Sequence, residues 1–262
     1  GVRKALTITL VSMAALMAGR HCVRTARLCL PGPRPPPDAG QLLAASESIE
    51  IPTGAVLRIE SAREGGHTAD EALTSVAVRG LETSRVTVVR GSGVRIRQDG
   101  AELVLSWPRG LLLLEIPSRL GGLEIRRITG SLGLSGYVGP FTVDELDGPL
   151  TVHGPSAPFR VRNVRGLVRI LGLAVREGIS TIAQSDGDVE IETSEEASIS
   201  IRAVSTEGGV SLGERPGESA GMNLRRRGVW RLGAGTAQLN VSTIRGKISL
   251  RRPPGAGGAG RP

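Results

Sequence analysis

The sequence predicts an all-β fold. It reads as a single-domain β-solenoid, parallel β-helix-like, with coils of about eighteen to twenty-one residues and an irregular β portion ahead of them. Three observations carry this. Seven glycines, Gly130, Gly148, Gly166, Gly187, Gly208, Gly228 and Gly246, mark off the second half of the chain at that interval. A fixed period near twenty is the signature of a stacked repeat. Each glycine is followed by an apolar residue at +2 (Leu132, Leu150, Val168, Val189, Val210, Trp230, Ile248) and another at +4 (Leu134, Val152, Ile170, Ile191, Leu212, Leu232, Leu250). The residues between them (Gly133, Thr151, Arg169, Glu190, Ser211, Arg231, Ser249) are never large and apolar. One face is therefore buried and the other wet, with the period of two that belongs to a β-strand.

From the N-terminus, residues 1–29 read as a signal peptide or membrane anchor. The apolar run ALTITLVSMAALMA at 5–18 follows Arg3 and Lys4. It is short for a membrane span and suits the apolar region of an export signal. The alternative is a cytoplasmic N-terminal helix, since Arg20, His21 and Arg24 follow closely. Residues 30–44, which contain LPGPRPPPDAG, read as a stiff proline-rich linker. The solenoid is expected over 45–252 and a disordered tail over 253–262, PPGAGGAGRP.

Within the body, 45–120 is rich in β-type runs such as AVLRIE, RVTVVR, VRIRQ, ELVLSW and LLLLEIP, without a clear period. It reads as the start of the stack with hairpin elaborations that cap an open end. Asp99-Gly100 between two runs signals a two-residue hairpin. ADEALTSVAV, Ala69–Val78, admits a short helix instead. From residue 120 the unit is two short strands joined at a glycine corner. Apolar residues stand seven and five positions before the glycine, as Leu123/Ile125, Phe141/Val143, Phe159/Val161 and Leu239/Val241. Ile128, Leu146, Val164 and Ile244 stand two positions before it and join the same apolar pattern. Ser180, Ser185, Thr206, Gly221, Asn223 and Arg226 interrupt it, and the Gly228 unit, RRRGVWRL, is the weakest. Glycine at a corner fits a positive φ that is costly for other residues. An antiparallel β-sandwich is the competing architecture, but its turns do not repeat one glycine register.

The net charge of +8 hides an acidic body with basic ends. Residues 1–37 carry +6, residues 222–262 carry +9, and those between carry −7. Arg225, Arg226, Arg227, Arg251 and Arg252 suggest attraction to an anionic envelope surface or polymer. The plainer reading is a solvated end whose charge opposes edge-to-edge growth. Five aromatics, Trp107, Tyr137, Phe141, Phe159 and Trp230, are too few for a base-stacking platform, so no specific nucleic acid is expected.

Site chemistry is sparse. Cys22 and Cys29 precede the β region and lack zinc-finger spacing. His67 with Asp70 and Glu71 reads as an exposed polar loop, and His153 with Ser156 as a turn with no orienting carboxylate. GSGVRI and GSLGLSG are corners and not phosphate loops, and Glu195-Glu196 is a solvated connector. No catalytic, cofactor or metal residue, no small-molecule substrate and no enzymatic activity are expected.

SLGLSGYVGPFTVDELDGPLTVHG, QSDGDVEIET, VSTEGGVSL and NVSTIRGKISL, with the upstream EIPSRLGGLEI, resemble the bacterial "putative adhesin" domain of unknown function, with its "sGdv.i" repeats. Gly187, Gly208 and Gly246 carry the signature most clearly, over a likeness of about residues 45–252. The Gly228 unit departs from it. The resemblance implies a β-solenoid tied to the cell envelope, without catalytic residues. The expectation is a non-enzymatic extracytoplasmic module, secreted or membrane-anchored, with an adhesive or structural role. The alternatives are a polymer-forming scaffold similar to bactofilins and a β-helix polysaccharide-degrading enzyme.

Overall fold

The computed structural model describes residues 41–52, 54–61, 74–108, 110–213 and 226–251, apart from the side chains of residues 185, 212 and 213. Contacts divide the chain into residues 1–39 and 40–262, and all described residues lie in the second unit. The expected signal or anchor, most of the linker, the tail, His21, Cys22, Cys29, His67, Asp70, Glu71, Arg225 and Arg252 lie outside the described residues.

Twenty-one strands occur among the described residues. The irregular portion gives β1 (Gln41–Leu43), β2 (Ser48–Glu50), β3 (Val56–Ser61), β4 (Ser75–Leu81), β5 (Arg85–Arg90), β6 (Val94–Asp99), β7 (Glu102–Trp107) and β8 (Leu111–Pro117). The regular portion gives β9 (Gly122–Thr129), β10 (Ser131–Ser135), β11 (Phe141–Asp147), β12 (Leu150–His153), β13 (Phe159–Arg165), β14 (Val168–Leu173), β15 (Ile179–Asp186) and β16 (Val189–Thr193). The chain closes with β17 (Ile199–Ser205), β18 (Val210–Gly213), β19 (Arg227–Leu232), β20 (Ala237–Arg245) and β21 (Ile248–Arg251). No helix occurs among them, so none there is long and apolar enough to cross a membrane.

The strands form two sheets with the apolar core between them. One runs β1-β6-β7-β3-β9-β11-β13-β15-β20-β17-β19 and the other β18-β21-β16-β14-β12-β10-β4-β8-β5-β2. Each coil gives one strand to each sheet, and pairing between coils is parallel throughout the stack. This is a β-solenoid, and the parallel pairing excludes the sandwich. Val76 and Val78 are buried on β4, so the part of Ala69–Val78 that is described, from residue 74, contains strand and not helix; tertiary pairing with β8 and β10 overrides local propensity.

The stacking order departs from chain order at both ends. Near the start, β3/β4 lies between β7/β8 and β9/β10, while β5 and β6 run antiparallel on β8 and β7. The hairpin between β6 and β7 turns on Gly100-Ala101, with Asp99 opposite Glu102 and a positive φ only at Gly100, as in a type II′ turn. Near the end, β20/β21 lies between β15/β16 and β17/β18. The Gly228 unit is not a coil. It is β19, which runs antiparallel along the outer edge of β17. Trp230 and Leu232 on its inner side pack on the open end of the core, so this departure from the repeat is a cap.

The +2 and +4 columns are buried as expected in every true coil whose side chains are described. Phe141 and Phe159 stack face to face with centroids 5.1 Å apart. The corner glycines form a column in stack order: Gly130, Gly148, Gly166, Gly187, Gly246, Gly208. A Cβ on any one would fall against the backbone carbonyl of the coil before it, Thr74 in the case of Gly130. Gly208 lacks a positive φ yet meets the same obstacle. Close packing of corner on corner therefore demands glycine even where φ does not.

Candidate functional site

Three successive coils share an unusual corner. In β9, β11 and β13 the residue three positions before the glycine is Arg127, Glu145 and Asn163, with φ of 56°, 60° and 54°. The sequence dictates the kink. Ile125 and Ile128, Val143 and Leu146, Val161 and Val164 are all buried, yet each pair is three residues apart. Simple alternation would put one of each pair in water. A left-handed residue between them returns both to the core and turns two consecutive polar side chains outward. Such conformations are costly for residues other than glycine, less so for Asn, and they gather at functional surfaces.

Over these kinks lies a shallow groove along the stack axis. Arg127, Glu145, Asn163, Thr129, Asp147 and Arg165 line a cavity of about 560 Å³. A neighbouring cavity of about 330 Å³ adds Arg58, Glu60, Arg126 and Asp144 and shares Arg127 and Glu145. Opposite charges alternate from coil to coil. Arg127 pairs with Glu60. Arg58 reaches Glu102 at 2.7 Å and Glu124 at 3.2 Å, and Arg126 reaches Glu124 at 2.8 Å. Arg162 and Asn163 both donate to Asp144 at 2.8 Å. At the rim, Asp147, Arg165, Asp186 and Arg245 follow one another in register, with Arg245 3.0 Å from Asp186. Among the described residues Glu145 enters none of these pairs and is exposed. The surface is therefore laced with ion pairs and ridged at the spacing of parallel strands.

The sequence-predicted positions fall elsewhere. His153 is exposed at the end of β12, in register with Ser135 and Leu171. Ser156 Oγ donates to the Val138 carbonyl at 3.4 Å, so the two are not assembled as a nucleophile and base. Glu196 lies in an exposed turn and pairs with Arg176 at 2.7 Å. Arg226 and Arg227 are exposed at the cap, and Arg251 lies in register with Glu192. Among the described residues no group of three or more His, Cys, Asp and Glu is placed to hold a metal ion. The groove is marked in the sequence only by the odd spacing of its buried residues, five and two positions before the glycine.

No protein-family model matches the chain, and no curated protein matches it. Among solved structures it is similar to a "putative cell adhesion protein" from Clostridium sporogenes ATCC 15579, at 13% identity and a TM-score of 0.39, over 79% of this chain and 98% of that one.

Proposed function

We propose that the chain is a non-enzymatic recognition module of the cell envelope, outside the cytoplasm, and that the groove over the kinked corners is its contact surface. The observation that carries this is the ion-paired groove itself. Its acids Glu60, Glu124 and Asp144 are each held by an arginine from a neighbouring coil or strand. Locked side chains lose little freedom when a partner docks, which favours non-covalent recognition. The apolar segment at 5–18 and the proline-rich stretch after it support an extracytoplasmic location. Exposed Arg226, Arg227 and Arg231 on the cap supply attraction to an anionic envelope surface. The same arginines oppose end-to-end polymerisation, which makes the scaffold reading the weaker one.

Fractionation of untagged protein, with and without residues 1–20, tests the location. The full chain is expected with the envelope, and recovery in the cytosol overturns the reading. Purified protein is expected to bind isolated envelopes saturably. The double variant E145A/R165A should bind several-fold less, while S211A on the opposite sheet should bind as the parent does. Equal binding by all three removes the groove from the proposal.

A further inference from the structure

The last coil fills a gap between two coils that precede it in the chain. After β18 the chain returns as β19 along the outer edge of β17. It then crosses the start of β17 through Gly233–Thr236 and runs back as β20 on the inner edge. Ile199 of β17 thus pairs with Leu232 on one side and Ala237 on the other. β19 and β20 are the prongs of a fork that grips one strand. The crossing is close: Thr236 Oγ1 donates to the Arg176 carbonyl at 2.5 Å and lies 3.0 Å from Ser198 Oγ. A methyl on Gly233 would press on the Ala197 carbonyl at 3.1 Å.

Charge matches the fork to its slot. Residues 226–251 contain Arg226, Arg227, Arg231, Arg245, Lys247 and Arg251 and no acid. Residues 179–213, which receive them, contain seven acids and one arginine. Arg245 meets Asp186 at 3.0 Å, the Lys247 amide donates to Asp188 Oδ1 at 2.7 Å, and Arg251 is in register with Glu192. If β17/β18 stacked directly on β15/β16, Glu207 would stand over Asp186, a like-charge contact. The charge pattern at this corner favours the basic coil in the slot over the nearer one.

We propose that this slot also accepts the fork of a second copy of the chain, residues 226–251, so that two molecules exchange closing coils. Every contact made within one molecule is remade between two, which is the condition for low-cost swapping. In the chain the fork follows β18 after residues 214–225, and every other tie to the slot is non-covalent, including the pairing of β21 with β18. Opposite charge on fork and slot steers the encounter.

Ala183 and Ser242 are adjacent in register on β15 and β20, within disulfide reach for neighbouring strands. With Cys22 and Cys29 replaced by serine, A183C and S242C are placed first in one chain and then in separate chains. The double variant should form an intramolecular disulfide, which reports correct insertion. Co-refolding an equimolar mixture of the two single variants should give a disulfide-linked heterodimer in clear excess over either homodimer and over the same variants mixed after folding. An intramolecular bond in the double variant with no such excess in the mixture overturns the proposal. Absence of the intramolecular bond overturns the insertion itself.

Discussion

The coils of β9, β11 and β13 and those of β15, β20 and β17 obey the same glycine and the same +2 and +4 columns, yet they turn the corner differently. In the kinked set the residue at −3 is left-handed and faces outward, and the apolar residue at −2 is buried. In the straight set no residue near the corner other than glycine has a positive φ, and the side chain at −3 points inward. It is polar each time: Gln184, Ser205 and Thr243 are buried and cap corner carbonyls, Ser205 that of Gly246 at 2.8 Å and Thr243 that of Gly187 at 3.3 Å. Gln184 does the same for Gly166. One stack thus solves the corner in two ways, with strain at the surface or with a hydrogen bond inside. Only the first produces a groove.

The difference is broken most sharply at −2. Leu146 is 1% exposed in a kinked corner, and Ile244 is 51% exposed at the same position of a straight one. Leu146→Ala is expected to cost about 2–5 kcal/mol, the range for truncating a packed core leucine. Ile244→Ala should stay within about 0.5 kcal/mol, as exposed substitutions do. Urea unfolding of the two variants checks this. Similar losses would mean that the two corner types are not distinct. Ile244 also departs from the sequence expectation: it stands at the position of Ile128, Leu146 and Val164, but the straight corner has the other parity and turns it to solvent.

A smaller effect is expected at −3, with opposite signs. Thr243→Val keeps the shape but leaves the part-buried Gly187 carbonyl without its hydroxyl donor, at a cost of about 1–2 kcal/mol. Glu145→Gly relieves a left-handed residue and should raise stability by about 1 kcal/mol or less, because glycine also gains freedom in the unfolded chain. Thermal melts of both variants read out the signs. Destabilisation by Glu145→Gly would show that its side chain contributes more than its backbone costs.

These contrasts define what was legible. The corner glycines and the +2 and +4 columns were, because stacking forces identical chemistry at equivalent places. The kinked corner was written too, in the three-residue gap between Val143 and Leu146, but it shows only when parity is compared between coils. The order of the coils was harder. Local pattern is blind to which coil lies on which, since each presents a similar edge. The residues just before the glycines held the clue. Asp147, Arg165 and Asp186 alternate in sign, Glu207 breaks the alternation, and Arg245 restores it once placed between them. The groove was hidden for the same reason, because its charges come from separate coils and become neighbours only in the stack.

The smallest effect at neutral pH, and the finest probe of the two halves, is at Tyr137. It is the only tyrosine in the chain and sits between β10 and β11, in the kinked half. Its hydroxyl donates to the Pro140 carbonyl at 3.2 Å. Burial pushes its pKa from 10.0 up to about 12. A raised pKa means that the folded state favours the protonated phenol. Its contribution to stability is therefore intact below about pH 10 and is lost as pH rises toward about 12. Tyr137→Phe should change little at pH 7 and should flatten the alkaline loss of stability. With Trp107 replaced by phenylalanine, Trp230 reports the straight half and its cap from the far end of the stack. Tyrosinate absorbance is expected to rise before Trp230 fluorescence changes, because ionisation loosens the kinked half first. Simultaneous change would mean that both kinds of corner open as one cooperative unit, and an unaltered alkaline profile in Tyr137→Phe would remove the tyrosine as the cause.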